Sequence, residues 1–413
     1  MILRKVTLAA IWLMVFAIPW ENMIVFPLIG SLSRITGVLA LGIGILALIS
    51  LNAEIRLHRF HALLLLFIIW GSLTFYWSVD QSMSMSRLAT YAQLLVMTWL
   101  VYQWADDCEA VLSLLVAYVL GCYVSVISIL MNFIEGTMVE IERYSAIGFN
   151  PNDLSIILVM GIPMAWYLSL KRQGGRLNWL FAIYPFLSFF CIALTGSRNG
   201  LIAGSLAFAY VLWTSTALTL RYRFILYVSG LVTVIVAIAL LPPETWQRWA
   251  TIGTELSEGT LNERLTIWTA GFKAFLENPM VGNGIGAFKT AVTPFLGTDK
   301  SAHNVYLAIL VEMGLIGIII FLAILVSTFI SALRMPRYEK LFWVTLLSVC
   351  AVSAMSLNWE WRKQTWLYLV FVAAHATALN GRQSHTGDAE SSPMEFPGED
   401  LPTSGLAHKR SFR

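Results

Sequence analysis

The stretch SAHNVYLAILVEMGLIG, residues 301–317, places a histidine where a long polar segment ends and a long apolar one begins. The apolar run continues to about residue 332, which exceeds the roughly 20 residues that a membrane-spanning helix needs. Imidazole has an ordinary pKa of about 6.5, so it can take up and return a proton near neutral pH. The stretch therefore predicts a transmembrane helix with a proton-transferring group, His303, at its polar end.

The composition extends the membrane prediction to the whole chain. Of 413 residues, 58% are hydrophobic and 12% are charged, and the mean hydropathy is +0.71, unlike a soluble globular domain. We predict an all-α polytopic membrane protein with about twelve transmembrane helices, by the span-length rule. The predicted spans are residues 6–27, 35–51, 60–77, 88–105, 110–134, 153–170, 177–195, 200–219, 222–241, 304–332, 340–357 and 365–380.

The distribution of positive charge predicts the orientation. Lysines and arginines concentrate on alternate connections, and the positive-inside rule puts those connections and both termini in the cytoplasm. The Asp106-Asp107 pair is the exception among the connections assigned to the inside. The net charge of +3 is too small to indicate a nucleic-acid partner. The inside cations are Arg56, Arg59, Lys171, Arg172, Arg176, Arg221, Arg223, Arg334, Arg337 and Lys340.

This orientation divides the chain into four regions. Residues 1–241 form transmembrane helices 1–9, and residues 242–302 form one large periplasmic loop with amphipathic helices. Residues 303–380 form helices 10–12, and residues 381–413, rich in Gly, Ser, Pro and charge, are expected to be a disordered cytoplasmic tail.

Within the large loop, NERLTIWTAGFKAFLENP (262–279) predicts an amphipathic helix. Its apolar residues Leu265, Trp268, Phe272 and Phe275 recur at helical spacings of three and four. The following VGNGIGAF (281–288) has the glycine spacing of a nucleotide-binding loop, but no strand precedes it. We interpret it as a sharp turn that returns the chain to the membrane.

His303 is the one histidine of six on the predicted outer side, together with Arg87, Arg143, Arg198 and Arg264. A histidine there can simply cap its helix, and a single outer arginine can simply be solvated. Four arginines on separate outer connections, where the positive-inside rule depletes cations, instead indicate a bound anion. Guanidinium presents a planar fork of donors to phosphate oxygens. We therefore expect a phosphate- or pyrophosphate-bearing substrate, with no metal ion because no adjacent acidic pair faces outward.

Glu312 lies in the same predicted helix as His303 but cannot contact it. Nine residues correspond to about 13.5 Å of helical rise and half a turn in phase. Because a carboxylate inside a span is costly, we expect Glu312 to pack against another helix or to line a polar cavity.

Five segments together resemble the bacterial O-antigen ligase and O-antigen polymerase superfamily. The resemblance runs from about residue 70 to residue 370, and its most specific part is the HNxYLxxLxExGxxG pattern behind a long outer loop. The segments are WSVDQSMSMSRLATYAQLL (77–95), GFNPND (148–153), LTGSRNG (194–200), NERLTIW (262–268) and HNVYLAILVEMGLIG (303–317).

The resemblance implies a metal-independent, GT-C-like glycosyltransferase without a cofactor. Such proteins use glycans carried on undecaprenyl pyrophosphate at the periplasmic side of the bacterial inner membrane. His303 corresponds to the essential histidine of the family, Arg198 and Arg264 fall where the family carries arginines, and Arg87 and Arg143 match less closely. The motif also assigns supporting roles to Asn304, Tyr306 and Glu312. WRKQTW (361–366), with Arg362 and Lys363, resembles a basic segment before the last span of the family.

These expectations combine into one mechanistic hypothesis. His303 acts as general base on an acceptor hydroxyl, and Arg87, Arg143, Arg198 and Arg264 hold the departing pyrophosphate, so the anomeric carbon is inverted. An O-antigen ligase would use lipid A-core oligosaccharide as acceptor. A polymerase would use another lipid-linked glycan. A transporter of polyprenyl-linked lipid or solute is the alternative of another class.

Overall fold

The computed structural model describes residues 2–27, 30–139, 143–171, 178–250 and 264–386. It confirms an all-α polytopic membrane protein. Eight helices are long and apolar enough to cross a membrane, and four further helices occupy the remaining predicted spans. Arg172 and Arg176 and residues 387–413, most of the predicted tail, lie outside the described residues.

The helices within the described ranges are numbered here in chain order. They are α1 (Ile2–Ala17), α2 (Leu32–Ser50), α3 (Arg59–Thr74), α4 (Gln81–Trp104), α5 (Cys108–Ile134), α6 (Pro151–Lys171), α7 (Asn178–Leu194), α8 (Arg198–Thr214), α9 (Leu220–Leu240), α10 (Pro243–Ala250), α11 (Arg264–Glu277), α12 (Phe288–Leu296), α13 (Val305–Leu333), α14 (Arg337–Ala354) and α15 (Lys363–Thr386). Two short antiparallel strands, β1 (Val25–Phe26) and β2 (Gly30–Ser31), pair between α1 and α2.

The centre of the bundle is an aromatic cluster around Trp366 of α15. Its ring centroid lies 6.0 to 6.4 Å from those of Phe60, Phe67, Tyr91 and Phe321, which come from α3, α4 and α13. The indole N–H of the fully buried Trp366 donates a hydrogen bond of 2.9 Å to the backbone carbonyl of Glu360. The core thereby fixes the position of the segment that precedes α15.

Where α4 ends and α5 begins, Arg4 forms ion pairs with both Asp106 and Asp107. The two acids that depart from the charge pattern are therefore paired with a cation from the N-terminal helix. One of their two negative charges is therefore compensated by Arg4.

Helix α13 is broken at Gly314. This residue has φ 67° and ψ −165°, far from helical values, so the helical hydrogen bonds are interrupted across it. A break inside a membrane-spanning helix leaves backbone groups that hydrocarbon cannot satisfy, and such breaks need a polar partner from the protein.

The glycine-rich segment after α11 supplies that partner. Asn283 and Gly284 donate their N–H groups to the carbonyls of Val311 and Glu312, at 3.0 and 2.9 Å. Beyond the break, Leu315 donates to the carbonyl of Pro279 at 2.9 Å. The segment forms a turn that lies against α13, and backbone groups on both sides of the break are satisfied by it.

The predicted amphipathic helix corresponds to α11, and its buried face follows the predicted apolar residues only in part. Phe275 is buried, whereas Leu265 and Phe272 are 40% and 52% exposed. Ile267, Ala270 and Ala274 complete the buried face. The side chain of Leu307 lies 3.1 Å from the position that a Cβ on Gly271 would occupy. Small residues allow α11 to approach α13 closely, and this close contact outweighs the larger apolar stripe.

We predict that Gly282→Ala strongly destabilises the protein. Gly282 has φ 73°, and an added Cβ would lie 2.4 Å from the carbonyl oxygen of Glu312. Gly297→Ala is the matched control, because Gly297 has φ 76° but nothing within 4 Å of the added Cβ. The control should lose only the roughly 1–2 kcal/mol of left-handed strain. Thermal unfolding in detergent measures both, and equal losses would contradict the role of the close contact.

Candidate functional site

A cavity of about 400 Å³ lies at the end of the bundle where α13 begins. Its walls come from the start of α4, the start of α6, the turn before α12, the segment before α13 and the connection between α14 and α15. Residues that are far apart in sequence thus share one polar chamber. The lining residues used below are Met83, Arg87, Asn152, Asp153, Gly286, Lys289, His303, Glu312, Asn358, Glu360, Trp361 and Arg362.

His303 lies at this cavity, immediately before α13. Its φ of 46° is in the left-handed region that non-glycine residues seldom adopt. Its backbone N–H donates to the side-chain oxygen of Asn358 at 2.8 Å. The next residue, Asn304, caps the helix by accepting hydrogen bonds from the N–H groups of Tyr306 and Leu307, at 3.0 and 3.2 Å. The helix start and Asn358 together hold the backbone of His303 in place.

The same asparagine defines the environment of the imidazole ring. Because the Asn358 oxygen already accepts from the His303 N–H, its amide nitrogen faces the ring, 3.4 Å from Nδ1. Displacement of water by the surrounding protein, and secondly the nearby charge of Arg264, lower the pKa of His303. The neutral ring, which can accept a proton, is favoured at neutral pH.

Two arginines of the cavity stack on one tryptophan. The guanidinium carbons of Arg87 and Arg362 lie 4.5 and 4.6 Å from the ring centroid of Trp361. Arg362 also pairs with Asp153 at 3.3 Å, and the indole N–H of Trp359 donates to the other carboxylate oxygen of Asp153 at 2.8 Å. Stacking on the electron-rich ring stabilises each of the two cations.

The donors of Arg87 remain available to a ligand. Within the part of the chain that the structure describes, its guanidinium has the tryptophan contact but no hydrogen bond or ion pair. An always-charged, planar group with uncommitted donors in a cavity is suited to an oxyanion with several acceptor oxygens.

Glu312 lines the cavity and contacts the glycine-rich turn. The buried carboxylate accepts hydrogen bonds from the N–H of Gly286 at 2.7 Å and from that of Phe288 at 3.4 Å. The start of α12 is therefore held against α13 by a side chain as well as by backbone bonds. No hydrogen bond joins Glu312 to His303 among the described residues, in agreement with their helical separation.

Among the described residues, the other three predicted arginines do not line the cavity. Arg143 is buried and donates to the Thr195 carbonyl and to the Asn152 side chain, both at 2.8 Å. Arg198 begins α8 and donates to the Arg248 carbonyl at 2.8 Å. Arg264 begins α11, close enough to His303 to affect its pKa.

Residues 183–322, about a third of the chain, match the family model described as O-antigen ligase. This segment of the chain is therefore similar to the O-antigen ligase family, in agreement with the superfamily that the sequence motifs suggested. No curated protein matches it. The matched segment runs from α7 into α13 and so includes Arg198, Arg264, His303 and Glu312.

Much of the cavity of this O-antigen ligase domain protein comes from outside the matched segment. Arg87 lies before it, and Glu360, Trp361 and Arg362 lie after it. Sequence reasoning named Arg87 but left the role of Arg362 open and missed Asn358, Glu360 and Trp361. The WRKQTW segment was the available signal, because an aromatic residue beside a cation in a short connection marks a stacked pair.

The remaining predicted residues have structural contacts. Tyr306 donates its hydroxyl to the Ala351 carbonyl at 3.1 Å and joins α13 to α14. Lys363 lies beside Arg362 in sequence but forms an ion pair of 2.5 Å with Glu21 instead of lining the cavity. The basic segment thus contributes one cation to the cavity and one to the contact between α15 and the end of α1.

Proposed function

We propose that this protein is an O-antigen ligase that transfers polysaccharide from undecaprenyl pyrophosphate to lipid A-core oligosaccharide. The observation that supports this proposal most directly is that one cavity contains the imidazole of His303 and the two guanidinium groups of Arg87 and Arg362, which stack on Trp361. The match of residues 183–322 to the O-antigen ligase family supports a lipid-linked glycan as substrate. The proposed location is the bacterial inner membrane, with the cavity facing the periplasm.

In the proposed reaction, an acceptor hydroxyl oxygen attacks the anomeric carbon of the first sugar of the donor. His303 takes the hydroxyl proton as the new C–O bond forms. The bond from the anomeric carbon to the pyrophosphate oxygen breaks, and the electron pair leaves with the lipid pyrophosphate. In-line displacement without a metal ion inverts the configuration at that carbon.

The arginines stabilise the charge that develops on the leaving group. Arg87 and Arg362 would contact the pyrophosphate directly, since both line the cavity. We assign Arg264 an electrostatic role beside His303. Arg143 and Arg198 position the surrounding segments in this scheme, which modifies the sequence-based expectation of four direct phosphate contacts. Preorganised charges of this kind often supply the largest share of catalysis.

Acceptor choice tests the ligase assignment. Purified protein is given radiolabelled lipid-linked donor together with lipid A-core or with a second lipid-linked repeat, without ATP or added metal. Label transferred to lipid A-core is the expected result. Longer lipid-linked chains with no lipid A-core product would instead indicate a polymerase, and movement of the lipid with no covalent product would indicate a transporter.

The base assignment predicts both a loss of activity and a pH dependence. His303→Ala should lower transfer about 10²- to 10⁴-fold. Since the pKa of His303 is lowered from 6.5, wild-type kcat/KM should rise with pH through a midpoint below 6.5 and level off above that midpoint. Asn358→Asp keeps an acceptor for the His303 N–H but adds a negative charge that favours imidazolium. The pH at which kcat/KM of this variant reaches half its maximum should be higher than in the wild type. An unchanged pH profile of kcat/KM would contradict the assignment of His303 as the base.

The stacked arginines predict a specific loss of donor affinity. Arg87→Lys and Arg362→Lys keep the charge but lose the planar fork and its stacking, so each should raise the donor KM about tenfold or more. Arg59→Lys is the control, because Arg59 is at the opposite end of the bundle and donates to Ser331 at 2.8 Å. Wild-type KM values in both cavity variants would exclude direct pyrophosphate contact.

A further inference from the structure

Glu360 contributes an unpartnered carboxylate oxygen to the cavity. The residue is 3% exposed, and its Oε2 has no hydrogen-bond partner. No other buried carboxylate oxygen in the described ranges is left in this state. An unsatisfied buried acceptor costs stability, so a carboxylate oxygen in this state that faces a cavity indicates a partner that enters the cavity.

Two residues near Glu360 in the same connection have partners within the protein. Asn358 accepts from the His303 backbone, and Arg362 pairs with Asp153 and stacks on Trp361. Glu360 itself is held through its carbonyl by the buried Trp366. The carboxyl group is thus held at the cavity by its backbone contact, while its side chain contributes an acceptor that the fold does not use.

The charges around Glu360 identify which part of a substrate it would meet. Arg87 and Arg362 lower its pKa through their charges, so both guanidinium groups lie within electrostatic range of the carboxyl group. Burial, followed by repulsion from Glu312, outweighs them and raises the pKa of Glu360 to about 7. At neutral pH this carboxyl group is therefore present in both protonation states. The ionised form accepts hydrogen bonds, and the protonated form can also donate one.

We propose that Glu360 binds a hydroxyl group of the donor sugar that is joined directly to the pyrophosphate. This rests on the proposed function, because Arg87 and Arg362 are taken there to hold the pyrophosphate. The sugar one bond beyond the phosphate must then lie beside the carboxyl group. Hydroxyl groups match a carboxyl group in hydrogen-bonding capacity, whereas a second phosphate would be repelled. Glu360 therefore determines specificity for the sugar rather than for the lipid carrier.

Two ligands separate sugar recognition from pyrophosphate recognition. Undecaprenyl pyrophosphate without a sugar is measured as an inhibitor, and the glycosylated donor is measured by its KM. Glu360→Ala should raise the donor KM about 10- to 100-fold and leave the inhibition constant of undecaprenyl pyrophosphate within about threefold of wild type. Arg87→Lys should weaken both ligands.

Further variants distinguish hydrogen bonding from charge and from folding. Glu360→Gln keeps the shape and a donor and an acceptor, so it should stay within about fivefold of the wild-type donor KM. Glu339→Gln is the matched control, because Glu339 is also buried but pairs with Lys171 at 2.6 Å at the opposite end of the bundle. It should leave the donor KM unchanged.

Several outcomes would overturn the proposal. An unchanged donor KM in Glu360→Ala would do so, as would equal weakening of donor and undecaprenyl pyrophosphate. A Glu360→Gln variant that loses kcat at constant KM would assign the residue a proton-transfer role instead. If Glu360→Ala does not fold, the comparison of Glu360→Gln with Glu360→Asp, which withdraws the carboxyl group, decides the question.

The proposed function can fail separately. If wild-type protein transfers no glycan, binding of the glycosylated donor and of undecaprenyl pyrophosphate is measured directly by native mass spectrometry. Selective loss of donor binding in Glu360→Ala would still support sugar recognition, whereas absence of binding to both ligands in the wild type would overturn both proposals.

Discussion

The backbone hydrogen bonds across the break at Gly314 are the constraint on which the rest of the site depends. A transmembrane helix cannot be interrupted in an apolar surrounding unless its freed groups find partners. Here the partners are Asn283, Gly284 and Pro279 of the loop, and the Glu312 carboxylate adds a bond to Gly286. The loop is thereby part of the helix bundle. One set of contacts joins the membrane-spanning core to the cavity and accounts for the glycines, since a side chain at Gly282 or Gly314 would collide with backbone atoms.

A second set of contacts, from the aromatic core of the bundle, positions the residues of the cavity. The Trp366 cluster fixes the segment before α15, and that segment presents Asn358, Glu360 and Arg362 to one chamber. These three residues have different roles. Asn358 accepts a hydrogen bond from the His303 N–H, one carboxylate oxygen of Glu360 has no hydrogen-bond partner, and Arg362 stacks on Trp361, as Arg87 does. The polar groups of the cavity are preorganised by apolar packing a few ångströms away.

The sequence predicted the helices well because hydrophobic length is a local property. It also predicted that His303 begins a span and that Glu312 cannot reach it, since both follow from helical geometry. Convergence of distant segments is not local, and for this reason Asn358, Glu360 and Trp361 were missed. Arg143 illustrates the same limit. It is buried and donates hydrogen bonds to Thr195 and Asn152, and the sequence alone does not distinguish such an arginine from one that faces a ligand. The predicted apolar stripe of α11 is buried only in part, at Phe275, because close contact at Gly271 favours small residues at the neighbouring buried positions.

The broken helix also has a mechanical consequence. One face of α13 before Gly314 packs with α11 and α12 in a separate apolar cluster, through Ala308 and Val311. The other face of this part, with Val305 and Ile309, belongs to the main bundle, as does the part after Gly314. A continuous helix would transmit every change of tilt along its length. Because the helical hydrogen bonds are interrupted at Gly314, the part of α13 that begins beside His303 is instead held by side-chain packing and by the loop. Its tilt is therefore set by two apolar clusters at once and not by the direction of the helix beyond the break.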